Sequence, residues 1–161
     1  MISLALITVT AASNMPTPSY AQTQFSAILT GASVFPPVQT NATGKAMLDL
    51  VGGGQVMKYN ISGTNVDHVN NVVITHSTGG RSTDLVILRS GVQEGLSGKA
   101  KTASLMGNFT SADITGGGNI VGFKKDMPSL VKDILSGNVY VKVDTVKFPL
   151  GLVAGKLKSS P

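Results

Sequence analysis

Two histidines, His68 and His76, and eight Asp and Glu side chains are the groups in this 161-residue chain from which acid–base or metal chemistry could be built. There is no cysteine, which removes thiol nucleophiles, thiolate metal ligands and a disulfide framework. A hydrolytic nucleophile needs a hydroxyl, a base and an orienting group in contact. Ser77 is next to His76 in sequence, but neighbours on a strand point to opposite faces, so the pair does not qualify. Asp84 is the nearest carboxylate in sequence, with nothing to place it; Asp113 and Asp126 lack the pattern of a glycosidase pair. Gly52-Gly53-Gly54 and Gly116-Gly117-Gly118 lack the Lys-Ser/Thr that completes a phosphate loop and read as turns.

The elements that must position these groups are strands. Gln24–Leu29 is the first, closed by Gly31, and Pro36-Pro37 forces an extended crossing that stays at an edge or outside the sheet. Lys45–Leu50 alternates, with Ala46, Leu48 and Leu50 on one face, and the Gly52–Gly54 turn leads into Val56–Ile61. Val72–His76, Asp84–Leu88 and Ala100–Thr110 are further strands, with Gly79-Gly80 as a turn. One helix is expected from Pro128 to Leu135, with Asp126 as its cap, Pro128 in its first turn and Gly137 at its end. Val139, Val141 and Val143 alternate with Tyr140, Lys142 and Asp144, and a second apolar run covers Leu150–Leu157. Short strands with Gly-rich turns, and one short crossover helix, predict an all-β antiparallel sandwich or barrel.

The length favours one domain with a full core, and no internal repeat is visible. Lys and Arg exceed Asp and Glu by 13 to 8, with Lys124-Lys125 as the one lysine doublet. So dispersed a charge reads as solvated strand faces and loop tips, with weak attraction to anionic cell-surface polymers as the alternative. Trp is absent, with only three Tyr and five Phe, a poor supply of stacking groups for single-stranded nucleic acid.

Met1–Ala12, MISLALITVTAA, is an apolar run too short for a bilayer, which needs about 20 residues. Pro16 and Pro18 follow, and Ser19-Tyr20-Ala21 has small residues where a signal peptidase reads. The expectation is a signal peptide over residues 1–21, a mature domain over 22–161 and a secreted or cell-surface location without a permanent membrane span. No Lys or Arg precedes Lys45, which leaves an atypical signal, a start upstream of Met1, or a buried N-terminal strand as readings. Asn41-Ala42-Thr43, Asn60-Ile61-Ser62 and Asn108-Phe109-Thr110 make Asn41, Asn60 and Asn108 glycosylation candidates in a host that glycosylates.

Several segments in order carry a resemblance: Phe25–Ala32, Phe35-Pro36-Pro37-Val38, Thr40–Ala46, Tyr59–Ser62, Val72–Gly80, Gly137–Thr145 and Pro149–Leu157. Over Gln24–Leu157 the chain resembles the CHRD domain, the module repeated in chordin and found alone in many exported microbial proteins. The resemblance implies an antiparallel Greek-key fold similar to immunoglobulin-like sandwiches and to copper/zinc superoxide dismutase, and no established catalytic activity. The family typically has His-x-His at Ile74-Thr75-His76, His at Asp144, and Gly-Glu-Ile-Arg-Gly at Gly151–Gly155. Two of three family histidines are therefore replaced here, as are a carboxylate and a guanidinium.

If that alignment holds, His76 and Asp144 lie on adjacent or facing strands. Three readings follow. They co-ligate zinc or copper, with His68 as third ligand if its loop folds back; they form a hydrogen bond or ion pair that ties two strands; or they make no contact. No cofactor is otherwise expected. The function expected is a non-catalytic binding or structural module whose partner is a protein or a cell-surface polymer and not nucleic acid. A copper- or zinc-binding protein is one alternative. A filament subunit donating an edge strand, Gln22–Leu29, to a neighbour is the other; oligomeric state is left open.

Overall fold

A computed structural model of the chain describes residues 23–89 and 102–160. The expected signal segment lies outside the described residues.

Alternation sets the strands. In β1 (Thr23–Thr30) Phe25, Ala27 and Leu29 are buried, and in β2 (Thr43–Val51) Ala46, Leu48 and Leu50 are. The two pair antiparallel from Thr23↔Leu50 to Thr30↔Thr43. Gly52, Gly53 and Gly54 all have positive φ, which lets the chain reverse into β3 (Val56–Thr64). A crossover leads to the hairpin β4 (Val69–Thr78) and β5 (Arg81–Arg89), joined by Gly79-Gly80. β6 (Thr102–Thr110) returns to pair with β3.

Helix α1 (Met127–Leu135) starts where Asp126 accepts a hydrogen bond from the Ser129 N–H at 2.8 Å. It stops at Gly137, whose φ of 76° fits the left-handed exit and whose N–H reaches Ile134 O at 2.9 Å. Met127, Leu130 and Ile134 are its buried stripe. β7 (Val139–Thr145), β8 (Val153–Lys156) and β9 (Lys158–Ser160) complete the chain.

All strand pairs are antiparallel, in the order β5-β4-β7-β8-β1-β2-β3-β6, with β9 also on β1. This single sheet curls into a half-barrel. One core joins its two halves: Phe25, Leu29, Leu48 and Met57 pack with Ile74, Val141, Val153 and the α1 stripe. The all-β class and the single crossover helix agree with the sequence.

Two expectations are corrected. β1 is not an edge: β2 pairs along its whole length on one side and β8 and β9 pair on the other. The segment expected to be donated to a neighbour is the inside of its own sheet. The apolar run Leu150–Leu157 is not all strand either. Leu150 is 72 % exposed in a turn, Gly151 takes a φ of 127°, and regular pairing starts at Val153.

Candidate functional site

Register on β4 and β7 divides their side chains. Val72, Ile74 and His76 pair with Val143, Val141 and Val139, and Asn71, Val73 and Thr75 with Asp144, Lys142 and Tyr140. Cross-strand partners share a face. The first set therefore faces the core, which contains Val72, Ile74, Val139, Val141 and Val143. The second set faces outward. Val73 is buried yet outside that core, and a separate segment runs over part of the outer face.

The cover is a strap from Gly31 to Val38. A short 3-10 turn, Gly31–Ser33, opens it; the Phe35–Pro36 bond is cis, and the Val38 N–H returns to Gly31 O at 2.9 Å. Val34 is buried against Gly151 and the Lys142 stem: a Cβ at position 151 would stand 2.9 Å from Val34 Cγ1 and 3.4 Å from Lys142 Cγ and Cδ. The Pro-rich crossing predicted from sequence is thus a lid of residues over the sheet.

Lys142 also belongs to a charged cluster. Lys142 Nζ stands 3.4 Å from Asp144 Oδ1 and 3.9 Å from Asp84 Oδ1. Asp144 is only 3 % exposed, and its Oδ1, although near the ammonium, has no hydrogen-bond partner. Burial pushes the Asp144 carboxyl above its ordinary value; the Lys142 charge and the Asn71 amide pull it down, and the Asp84 charge adds to the rise. A buried carboxylate with one cation and one unbonded oxygen is an incompletely satisfied group.

This cluster adjoins a surface groove of about 380 Å³, lined by Phe35, Thr75, Ser77, Tyr140, Lys142 and Leu150 among others. Thr75 already donates its hydroxyl to Thr83 O at 3.0 Å. Lys156 Nζ lies 5.5 Å from the Tyr140 ring centroid. Phe35 and Leu150, each 72 % exposed, form two apolar lips. The lining therefore offers hydroxyls, an aromatic ring and a fixed ammonium between apolar rims, the makeup of a binding site for a polar ligand.

The three expected metal ligands do not meet. Asp144 faces outward; His76, on the same strand pair, faces the core side. His76 Nδ1 is 2.7 Å from Asp133 Oδ2 of α1, and Nε2 is 3.1 Å from Thr78 Oγ1. Asp133 Oδ1 also accepts from Asn138 Nδ2 at 3.2 Å. Of the three readings of His76 and Asp144, the structure has the one without contact: the imidazole ties a strand to the helix, not one strand to another. His68 is elsewhere, with a φ of 49°, Nδ1 2.8 Å from Asp67 Oδ1, and a side chain 49 % exposed. It borders a second cleft with Asn65, Thr145, Lys147 and Phe148. Among the described residues no three His, Asp or Glu side chains are grouped to hold a metal ion.

Asp133 was missed from sequence, and Asp84 was named there with nothing to place it. Asp133 carried a signal: it is three residues after Leu130 and one before Ile134, so it borders the buried stripe of α1, where a carboxylate needs a partner. Asp84 carried none, because its place depends on register shifts between β4 and β5. The glycosylation candidates are all exposed: Asn41 before β2, Asn60 on β3 and Asn108 on β6.

A profile of the CHRD domain matches residues 25–157. The chain belongs to the CHRD-domain family. Neither curated proteins nor solved structures match it. Membership suggests an extracellular binding or structural module. Among the described residues no helix is long and apolar enough to cross a membrane. Within this CHRD domain, positions 74 and 76 share the inward face and 144 takes the outward one, so the positions where the family typically has histidine are split by the sheet.

Proposed function

We propose that this CHRD domain is an exported, non-catalytic binding module whose ligand sits in the groove between the Gly31–Val38 strap and the outer face of β4 and β7. The ligand is a polar segment of a cell-surface polymer or extracellular protein. The observation that supports this reading is the Asp84–Lys142–Asp144 cluster, whose Lys142 lines the groove. Such a cluster is costly to keep for stability alone, since apolar groups of similar volume usually serve as well. It holds the Lys142 ammonium in one place, and a fixed donor beside exposed apolar lips is what orients a polar ligand.

The test is retention of the purified protein on cell-surface and matrix fractions. Phe35→Ser and Leu150→Ser alter exposed lips and should leave folding intact, as surface substitutions usually do. Both should lose most of the retention, whereas Leu135→Ser, exposed at the end of α1, should not. Equal retention by all three variants, or none by the parent protein, would refute the groove as the binding site.

A further inference from the structure

The two ends of the sheet are finished differently. β5, at one end, carries Arg81 and Asp84, and register shifts interrupt its pairing with β4. Its Leu85 carbonyl is also taken by the Thr115 and Gly116 N–H groups at 3.1 Å. Charge, irregular pairing and a covering loop are the devices by which proteins keep an edge from pairing with another chain. Among the described residues β6, at the other end, has none of them. Its sequence, TASLMGNFT, holds no charged residue and no proline. Its register on β3 runs unbroken from Val56↔Thr110 to Thr64↔Thr102, so no bulge turns it away. Among the described residues no strand lies beyond it.

We propose that β6 is a self-association edge, where two copies pair antiparallel about a two-fold axis through Met106. The sequence of β6 is complementary to itself in that register. Met106, 70 % exposed on the outward face, lies opposite Met106 of the second copy, so each covers the other. Ser104 lies opposite Asn108, a polar pair beside the methionines. On the inward face Leu105 lies opposite Gly107, over which the Tyr59 hydroxyl sits: a Cβ at 107 would stand 2.5 Å from it. Leu105 of the second copy therefore meets the Tyr59 ring rather than a competing side chain. The contact is isologous and closes as a dimer with no free edge at this end. It is independent of the groove, which lies in the other half of the sheet. A glycan on Asn108 would sit opposite Ser104 and prevent it, so the test uses protein made in a host that does not glycosylate.

The absence of cysteine makes the register directly testable. With Met106→Cys as the sole thiol, mild oxidation should give a disulfide dimer in high yield. Ser104→Cys alone should give only collisional background, and a mixture of Ser104→Cys and Asn108→Cys should give the mixed dimer. The parent protein should sediment as a dimer at about 0.1 mM, where even weak association registers. Met106→Lys, which sets like charges face to face on an exposed position, should sediment as a folded monomer. A parent protein monomeric at that concentration, or equal cross-linking at 104 and 106, would overturn the proposal.

Discussion

The two faces of the β4–β7 pair are both buried, but by different means. The inward face is apolar and closed: Val72, Ile74, Val139, Val141 and Val143 pack into the common core, and the one imidazole, His76, is bonded at both nitrogens. The outward face is covered by a strap rather than by a second sheet, and it holds Asp144, Lys142 and Thr75 with one carboxylate oxygen unbonded. The inner face has its polar group satisfied; the outer face keeps an electrostatic imbalance next to a groove.

The sharpest way to break the comparison is to empty each face in turn. Ile74→Ala removes a fully buried side chain and should cost about 2–5 kcal/mol, with little pH dependence. Lys142→Met leaves Asp144 buried without its cation and should cost about 3 kcal/mol at neutral pH. The second cost should shrink in acid as Asp144 protonates. Urea unfolding of both variants at neutral and acid pH separates them; a Lys142→Met cost independent of pH would show that Asp144 does not depend on Lys142.

Gly151→Ala should come next, at about 1–3 kcal/mol, because a φ of 127° is unfavourable for a side chain and the new Cβ meets Val34. If the strap is the cover of the outer face, the variant should also expose Lys142 to amine-reactive reagents. Unchanged Lys142 labelling would mean that the strap does not shield it.

Which parts of this contrast were legible in the sequence follows from the range of the interactions. The alternation of β2 and β7, the triple-glycine turn and the caps of α1 are local, and the structure places them as read. That Lys142 and Asp144 share a face also follows from period two. Their third partner, Asp84, comes through β4 from a strand more than fifty residues away in sequence, at a bulged register that no local pattern encodes. The place of His76 has the same origin: it lies on the strand adjacent to that of Asp144, as the family alignment implies, but parity of the register sends it to the opposite face. The strap was visible as two prolines, but not the surface it would cover.

His76→Ala is a smaller break, confined to the inner face. It leaves Asp133 with Asn138 as its remaining partner and should cost about 1–3 kcal/mol. Because the lost bond joins β4 to α1, amide exchange should rise first in α1 and at Ser77, whose N–H bonds Asn138 O at 2.8 Å. Faster exchange in β5 with α1 unchanged would show that His76 does not anchor the helix.

Asp144→Asn should have the smallest effect, and its sign is the most informative. Burial raises the folded-state pKa of Asp144 above the ordinary 3.8. The folded chain then binds this proton more readily than the unfolded one, so this group's contribution is most favourable below 3.8 and is lost as pH rises through the folded-state value. Asparagine imitates the protonated form and does not titrate. The stability of Asp144→Asn relative to the parent protein should therefore increase on going from acid to neutral pH, then level off. The gain should be smaller than the loss in Lys142→Met, because Lys142 and Asn71 already offset part of the burial penalty. The opposite slope in paired denaturation curves would mean that Lys142 more than compensates the carboxylate. The outer face would then be as well satisfied as the inner one, and the contrast between them would lose its basis.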